Sequence, residues 1–344
     1  MAGATGRGPS LKDVAARAGV SWKTVSNVIN EHPHVSAGTR AKVEAAIAEL
    51  GYRPNASGRR LRTGRSQLLG LAIADIRIPY FAELAHAVAT AAEPRGYTVL
   101  IDETAIDRTR EERVAAGLRG NTVDGLIFSP EVLSPSEVIR LSGGIPTILL
   151  GEHALAEDVA VDRIGIDNGR AMRQLIQHLA ATGRRTVAYV GASVAREFGP
   201  GQTRMRAYRD ALAGADLAVD DGLMRQTDRF SRADGYRAVL DLLATRPDVD
   251  AIVCGNDQVA IGACAALRSL RRSVPSDVAV TGWDDSEEGR YSSPTLTTVR
   301  PDLRALAAIA VDRVLVRVEE PSVQLVPIRV AIPHEIVVRE SSAS

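Results

Sequence analysis

The chain has 344 residues, of which 45% are hydrophobic and 24% charged, and its formal net charge is zero. These values are ordinary for a globular protein, and no apolar run approaches the roughly 18 residues that a membrane-spanning helix requires. The Gly-rich start, 1–9, lacks the apolar core of a secretion signal, so we expect a cytoplasmic protein.

The charge is distributed unevenly along the chain. The first 65 residues carry eleven Lys and Arg against four Asp and Glu, whereas the remaining 279 carry 31 against 38. A small basic module at one end of an acidic chain is typical of proteins that bind nucleic acid. We therefore expect the N-terminal segment to contact a nucleic acid.

Three helices are predicted in this basic segment. The first lies within 10–19, where a capping box marks its start and a glycine marks its end. A Ser begins the second, over about 22–29, and another Ser begins the third, within 36–50. Two short helices joined by a tight turn predict a helix-turn-helix domain, which we place at 10–54 and expect to bind double-stranded DNA.

The second helix has an apolar face and a polar face. Its Val and Ile side chains are predicted to pack against the other two helices. We expect Trp22, Lys23 and Asn27 to read base edges, because Lys can donate to guanine and Asn can pair with adenine in the major groove. The alternative is a solvated face on which Trp22 partly covers a core edge. The polar face carries Trp22, Lys23, Ser26, Asn27 and Asn30.

Polar groups near the starts of the second and third helices are expected to contact the DNA backbone. The N–H groups at a helix start and the short polar side chains beside them attract phosphate. Ser21 and Ser36 can also serve as simple helix caps, and the two roles are compatible. The expected backbone contacts are Ser21, Thr24, Asn30, His34, Ser36, Thr39 and Asn55.

Several motifs of this segment resemble the DNA-binding head of the LacI/GalR family. They are LKDVA at 11–15, AGVS at 18–21, TVS at 24–26 and LGYRPN at 50–55. The resemblance implies a regulator that binds an operator in DNA. Asn27 stands where many members have Arg, so we transfer no operator sequence to this chain.

The segment 55–66 is short and basic. A helix of about two turns is unstable alone in water because nucleation is costly, and Gly58 adds roughly 1 kcal/mol relative to Ala. The segment resembles the family's hinge helix, which orders on DNA, and Leu61 matches the leucine that enters the minor groove as a wedge. The alternative is a flexible linker with Leu61 packed on the body.

From residue 68 onward, continuous apolar runs alternate with amphipathic segments. Apolar runs of this kind form parallel sheets that are covered on both faces, and this many strand–helix units exceed one sheet. We expect two doubly wound α/β subdomains, with a ligand in the cleft beyond the carboxyl ends of the strands. The expected strands lie near 68–74, 97–101, 125–128, 147–150, 187–190, 251–254 and 278–281. The expected helices lie near 81–93, 110–118, 169–181, 204–212, 232–243, 259–270 and 303–318.

The family resemblance extends to this body and implies a type I periplasmic-binding-protein-like fold. In that fold the chain crosses between subdomains three times, and we expect the crossovers near Asp162, Ser293 and Pro321. The effector-binding and dimerisation domain, 67–340, would then consist of subdomain 1 at about 67–162 and 294–321 and subdomain 2 at about 163–293 and 322–340.

Polar and aromatic side chains follow several predicted strands. Carboxylates, an amide and a guanidinium around an aromatic ring suit a polyhydroxylated ligand, because planar polar groups bind hydroxyl pairs and a ring stacks on the apolar sugar face. In the family, the positions that match Arg204, Asn256, Asp257 and Asp284 contact the effector. The alternatives are a helix N-cap for Asp257, a turn cap for Asp284 and a rim ion pair for Arg204. The expected effector-binding residues are Asp75, Tyr80, Arg204, Phe230, Asn256, Asp257, Trp283 and Asp284.

These features predict a transcriptional regulator, most simply a repressor, that a small polar effector such as a sugar controls. A homodimer would place two heads in successive major grooves of a near-palindromic operator. The chain lacks a heptad Leu tail after its last predicted strand, which favours a dimer over a higher oligomer. The alternatives are a sugar-binding transport receptor and an enzyme that uses the cleft.

No catalytic role is expected for any residue. The sequence has no G-x-S-x-G, Walker A or H-E-x-x-H motif, and its six His residues show no ligand spacing. We therefore expect no cofactor and no metal site. Cys254 and Cys264 fall in a predicted buried strand and the next helix, where two inert core thiols are the favoured interpretation.

Overall fold

The structure is a computed structural model, and it describes residues 9–29, 32–52, 65–117, 123–151, 159–192, 200–323 and 325–343. The chain divides into two compact units, a head at 1–66 and a body at 67–344. Asn30, Asn55, Leu61 and most of the predicted hinge lie outside the described residues. Within the described ranges, no helix is both long and apolar enough to cross a bilayer.

The head contains the three predicted helices, α1 Leu11–Ala18, α2 Trp22–Ile29 and α3 Ala37–Leu50. A capping box at Ser10 begins α1, and Gly19 ends it at a φ of 66°, which favours glycine. Apolar residues from all three helices form a small buried core around Val14, Val25 and Val43.

Ser26 does not lie on the exposed face of α2, contrary to the sequence-based expectation. It is only 7% exposed, between the buried Val25 and the half-buried Asn27. The reason is that α2 contacts both α1 and α3, so the buried arc of this helix is wider than the stripe that its apolar residues mark.

The first body sheet is entirely parallel, in the order β11-β5-β4-β3-β1-β2. Its strands are β1 Leu68–Ile73, β2 Thr98–Glu103, β3 Gly125–Phe128, β4 Thr147–Leu150, β5 Asp162–Ile166 and β11 Arg329–Ile332. The helices in this part of the chain are α4 Pro79–Ala92, α5 Arg108–Ala115, α6 Pro135–Leu141 and α12 Leu303–Glu319.

The second body sheet has the order β12-β10-β9-β8-β6-β7, and only β12 runs antiparallel to its neighbour. Its strands are β6 Val187–Ala192, β7 Met224–Gln226, β8 Ala251–Cys254, β9 Ala279–Trp283, β10 Thr297–Pro301 and β12 His334–Val337. The accompanying helices are α7 Asn168–Ala181, α8 Pro200–Ala213, α9 Arg232–Thr245, α10 Asp257–Ser269 and α11 Glu287–Arg290. Two α/β sheets, one wholly and one mostly parallel, confirm the predicted fold class.

The chain changes sheets later than the sequence predicted. β5 begins at Asp162 but still belongs to the first sheet, β10 follows Ser293 but belongs to the second, and β11 follows Pro321 but belongs to the first. At each predicted crossover, the chain therefore adds one more strand to the sheet that it is leaving before it passes to the other sheet. These strands are short and carry charged residues, so no apolar run marks them.

Both thiols of the body are buried, as predicted. Cys254 lies in β8 and Cys264 in α10, and neither forms a disulfide. Burial raises the pKa of both thiols, most strongly for Cys254. These are the properties of unreactive core cysteines.

Candidate functional site

A cleft in the body lies at the carboxyl ends of strands from both sheets. Residues that end or follow β1, β4 and β5 line it, together with residues that end or follow β8, β9 and β10. It encloses about 860 Å³, including the space at its open mouth.

Six of the eight predicted effector residues line this cleft, and two do not. Asp75 and Asp257 lie outside its lining. The six residues in the wall come from both subdomains, with α4 and the start of α8 contributing as well as the strand ends. They are Tyr80, Arg204, Phe230, Asn256, Trp283 and Asp284.

Arg204 is held in place by several partners. Its Nη1 donates to the carbonyl of Gly255 at 2.6 Å, and its Nε donates to Asn168 Oδ1 at 3.3 Å. The guanidinium also stacks over the Trp283 ring, 4.5 Å from the ring centre. The carboxylate of Asp284 is 4.0 Å away, at the outer limit of an ion pair. Arg204 is therefore a fixed part of the wall, and two of its five N–H donors are already used.

Asp284 stands directly after β9 in an unusual backbone conformation. Its φ is 108°, which L side chains rarely adopt, and its N–H donates to Val299 O at 2.8 Å. Burial raises the pKa of Asp284 well above its ordinary value, although the charge of Arg204 opposes this. A carboxyl group with a raised pKa can donate a hydrogen bond as well as accept one.

Two aromatic residues of the wall carry polar groups. Trp283 is fully buried, and its indole Nε1–H has no hydrogen-bond partner among the described residues. Burial and the nearby charge of Asp284 raise the pKa of Tyr80, so this side chain remains a neutral phenol. An unpaired buried donor costs about 1–3 kcal/mol, which a ligand acceptor can offset.

Asn256, and not Asp257, is the N-cap of α10. The Oδ1 of Asn256 accepts from Val259 N at 2.9 Å, while its side chain still lines the cleft. Asp257 is almost fully buried behind the wall. It accepts from Thr298 Oγ1 and from Ser286 N, both at 2.6 Å. Asp257 thus joins α10 to the segments around β9 and β10 and lies outside the lining of the cleft.

Asp75 is also engaged elsewhere. Its carboxylate forms a two-point ion pair with Arg77, at 2.8 and 2.6 Å, and accepts the Arg77 N–H at 3.0 Å. The side-chain hydrogen bond from Arg77 is the main reason that the pKa of Asp75 is lowered. The tight turn after β1 therefore engages this carboxylate with Arg77, outside the lining of the cleft.

Two glycines allow a close approach beside Phe230, a residue of the cleft wall. Gly191, the residue before the end of β6, has a φ of 140°, and a Cβ there would lie 2.7 Å from the backbone of Gly255. A Cβ on Gly255 would lie 2.6 Å from the Phe230 ring. Only glycine permits this close approach of two strand ends and an aromatic ring.

Sequence reasoning missed three polar residues of the wall: Ser129, Glu131 and Asn168. Ser129 directly follows β3, so the strand-end rule that found Trp283 could have found it. Asn168 follows β5, which was not predicted. With Glu131 included, two acidic residues and one basic residue line the cleft.

The head presents the predicted DNA-reading residues at its surface. Trp22 is 61% exposed, Lys23 is exposed and Asn27 is half-buried. An aromatic side chain that a small core leaves in solvent is available for contact with a base.

The predicted backbone-contacting hydroxyls also cap helices. Ser21 Oγ accepts from Thr24 N at 3.1 Å, and Ser36 Oγ accepts from Thr39 N at 3.3 Å. His34 is exposed in the loop before α3. Each capping bond satisfies one of the N–H groups at the start of its helix, α2 or α3.

Two family models match the chain: bacterial regulatory proteins, lacI family, over residues 10–55, and a periplasmic binding protein-like domain over residues 176–342. The HTH-type transcriptional regulator CelR of Thermobifida fusca is 33% identical and covers 97% of this chain and 98% of its own length.

Two solved structures extend the similarity to three dimensions. A transcriptional regulator CelR–cellobiose complex has a TM-score of 0.73 and 30% identity, and covers 97% of this chain and 99% of its own. The lac repressor dimer bound to operator and the anti-inducer ONPF has a TM-score of 0.85 and 27% identity. It covers 98% of this chain and 100% of its own. The chain therefore belongs to the LacI family of bacterial transcriptional regulators, which are not enzymes, and joins a DNA-binding head to a periplasmic-binding-protein-like effector domain.

Proposed function

We propose that this protein is a repressor whose affinity for its operator is controlled by a neutral sugar bound in the body cleft. The observation that carries the ligand class is the polar wall around Trp283, in which fixed donors and acceptors surround aromatic surfaces. The similar CelR structure is a complex with cellobiose, which supports a sugar as the ligand.

The charges of the cleft favour a neutral ligand over an anionic one. Glu131 and Asp284 are acidic, and Arg204 is the single basic residue among the described residues of the lining. The guanidinium of Arg204 already donates to Gly255 and stacks on Trp283. A sugar phosphate would therefore be desolvated beside Glu131 and Asp284, with a single guanidinium, already engaged by Gly255 and Asn168, to compensate its charge.

Uncharged hydroxyl groups match the donors and acceptors that remain. The Trp283 Nε1–H needs an acceptor, and Asp284 can accept or donate. The rings of Tyr80 and Phe230 offer apolar surface to the carbon face of a sugar. These groups lie on both subdomains, so a bound sugar would favour one degree of cleft closure.

In the head, we propose that Trp22, Lys23 and Asn27 read bases, while Ser21, Thr24, His34, Ser36 and Thr39 contact the backbone. Two heads of a homodimer would bind the halves of a near-palindromic operator in the cytoplasm. The similar lac repressor structure is a dimer bound to operator. Leu61 would act as the minor-groove wedge, and Asn30 and Asn55 would add backbone contacts, as expected from the sequence.

A thermal-shift screen tests the proposed ligand class. Cellobiose, D-ribose and D-glucose are compared with D-glucose 6-phosphate and D-ribose 5-phosphate at equal concentrations. We expect at least one neutral sugar to raise the Tm, because a ligand that binds only the folded state stabilises it. A Tm that responds to the phosphate esters alone would overturn the proposal.

A further inference from the structure

A buried carboxylate outside the cleft lining holds part of the cleft wall. Glu111, in the first turn of α5, is fully buried. Its Oε1 accepts from Glu131 N at 2.8 Å, its Oε2 accepts from Leu133 N at 2.8 Å, and both oxygens receive Val132 N at 3.3 and 3.1 Å. Three consecutive backbone N–H groups therefore converge on one side chain.

The loop that Glu111 holds is the loop that lines the cleft. Ser129, Pro130 and Glu131 all contribute to the wall, directly before and within the bonded segment. Glu131 brings one of the two carboxyl groups of the cleft, and its own N–H is bound by Glu111. The position of that charge therefore depends on Glu111.

The start of α5 also reaches the cleft. Ile106, two residues before the helix, lines the wall at a φ of 61°, next to Ala105 at 51°. Asp107 then caps the helix, since its Oδ1 accepts from Arg110 N at 2.9 Å. Two separate wall segments, the turn at 105–106 and the loop at 129–131, are thus tied to one helical turn.

The hydrogen bonds of Glu111 indicate a role beyond filling space in the core. No Lys, Arg or His in the described residues forms an ion pair with Glu111, and burial raises the pKa of its carboxyl group. An apolar side chain would fill the same space without the free-energy cost of burying a carboxyl group. It would, however, leave three adjacent N–H groups without an acceptor in a segment that has no regular secondary structure.

We infer that Glu111 is a positioning residue that sets the subdomain 1 wall of the effector cleft, and with it the affinity for the effector. This inference rests on the proposed function, in which the cleft binds a sugar. Glu111 does not touch the ligand. It acts through the loop at 129–133, which it keeps in one conformation.

The test compares Glu111→Gln with Glu112→Gln in the full chain. Gln has the size of Glu, but its NH₂ group cannot accept the loop N–H groups. Glu112 is the neighbouring control: it bonds Arg108 at 3.1 Å and has no bond to the loop. Hydrogen–deuterium exchange at 131–133 should accelerate at least tenfold in Glu111→Gln and remain at the wild-type rate in Glu112→Gln.

A binding measurement separates positioning from folding. For the sugar that gives the largest Tm shift among cellobiose, D-ribose and D-glucose, we expect Glu111→Gln to bind about tenfold more weakly. Operator affinity without sugar should stay the same in both variants. Unchanged exchange at 131–133, or operator affinity that falls together with sugar affinity, would overturn the inference. If no sugar binds the wild type, the proposed function fails, while the exchange measurement still decides whether Glu111 holds the loop.

Discussion

The guanidinium carbon of Arg204 lies 4.5 Å from the centre of the Trp283 ring, with both side chains in the wall of the body cleft. Such a contact contributes up to about 2 kcal/mol when it is desolvated. Because the same guanidinium also donates to Gly255, the pair forms a rigid surface. We therefore expect the cleft to favour a neutral ligand, since Arg204 is the one cation among the described residues of the lining and is already engaged.

Trp283→Phe keeps an aromatic ring under Arg204 but removes the unpaired Nε1–H. We expect sugar affinity to fall about tenfold, or roughly 1.4 kcal/mol, if that donor binds a ligand hydroxyl. Isothermal titration calorimetry measures the change. Trp22→Phe is the matched control, because it makes the same substitution at the second tryptophan of the chain, which lies in the head. Equal sugar affinity in wild type and Trp283→Phe would contradict the role given to the indole.

Trp22→Ala tests the DNA-reading face. Since Trp22 is 61% exposed, its removal should leave the Tm within about 2 °C of wild type, as expected for a surface substitution. Affinity for an operator selected from a randomised duplex pool should fall tenfold or more, as measured by fluorescence anisotropy. An unchanged affinity would show that Trp22 belongs to a solvated face without a DNA contact.

Asp257 makes the stability of the body depend on pH. Burial raises the pKa of Asp257 to about 7, against 3.8 for an ordinary Asp. A raised pKa means that the folded state holds the proton more tightly. The stabilising contribution of this group to the free energy of unfolding is therefore complete below about pH 4. It is lost as the pH rises to about 7, at up to roughly 1.4 kcal/mol per pH unit.

Asp257→Asn removes this titration. Between pH 5 and pH 7, the free energy of unfolding should decline more steeply in wild type than in Asp257→Asn, when both are measured by urea denaturation. Every other titrating group is shared, so the difference between the two slopes isolates this carboxyl group. Parallel pH profiles would show that Asp257 is ionised throughout, held by Thr298 and Ser286.

Asp162 joins β5 to α12 and should be among the most sensitive positions of subdomain 1. Burial opposes its ionisation, but bonds from Arg317 at 2.6 Å, Arg313 at 3.0 Å and Ile328 N at 2.8 Å hold its pKa below the ordinary value. Asp162→Ala would leave buried charge unpaired, and we expect a loss of about 3–5 kcal/mol in urea denaturation of the body.

The control for Asp162 is a pair on the same helix. Asp312 also lies on α12 and forms an ion pair with Arg95, but both side chains are about half exposed. Asp312→Ala should change stability by about 1 kcal/mol or less, because exposed pairs contribute little. Similar losses for the two Ala variants would contradict the assigned importance of burial at Asp162.

Local signals predicted much of the fold. Ser10 and Gly19 bound α1 as their capping chemistry requires, and uninterrupted apolar runs marked strands such as β1 and β8. β5 escaped because its first two residues, Asp162 and Arg163, are charged. A strand with buried charge becomes recognisable only when its partners are known, and the two arginines of Asp162 lie more than 150 positions away in sequence.

The cleft residues were predictable where they end strands, as Trp283 and Asp284 do. A position after a strand does not give the direction of a side chain: Asn256 lines the cleft, whereas Asp257 accepts a hydrogen bond from Thr298 and lies outside the lining. Glu131 was missed because a loop held by Glu111, twenty residues earlier, places it in the wall. Long-range hydrogen bonds of this kind leave no periodic signal in the sequence.

The central claim is that a neutral sugar in the cleft changes the affinity of the head for operator. The most direct measurement is the operator Kd of the full chain, by fluorescence anisotropy, with saturating cellobiose, D-ribose, D-glucose or D-glucose 6-phosphate. We predict that at least one neutral sugar changes the Kd by roughly 5- to 150-fold, the usual range for coupled sites, and that the phosphate ester does not. A Kd that is the same with every neutral sugar, or that responds only to the ester, would contradict the account.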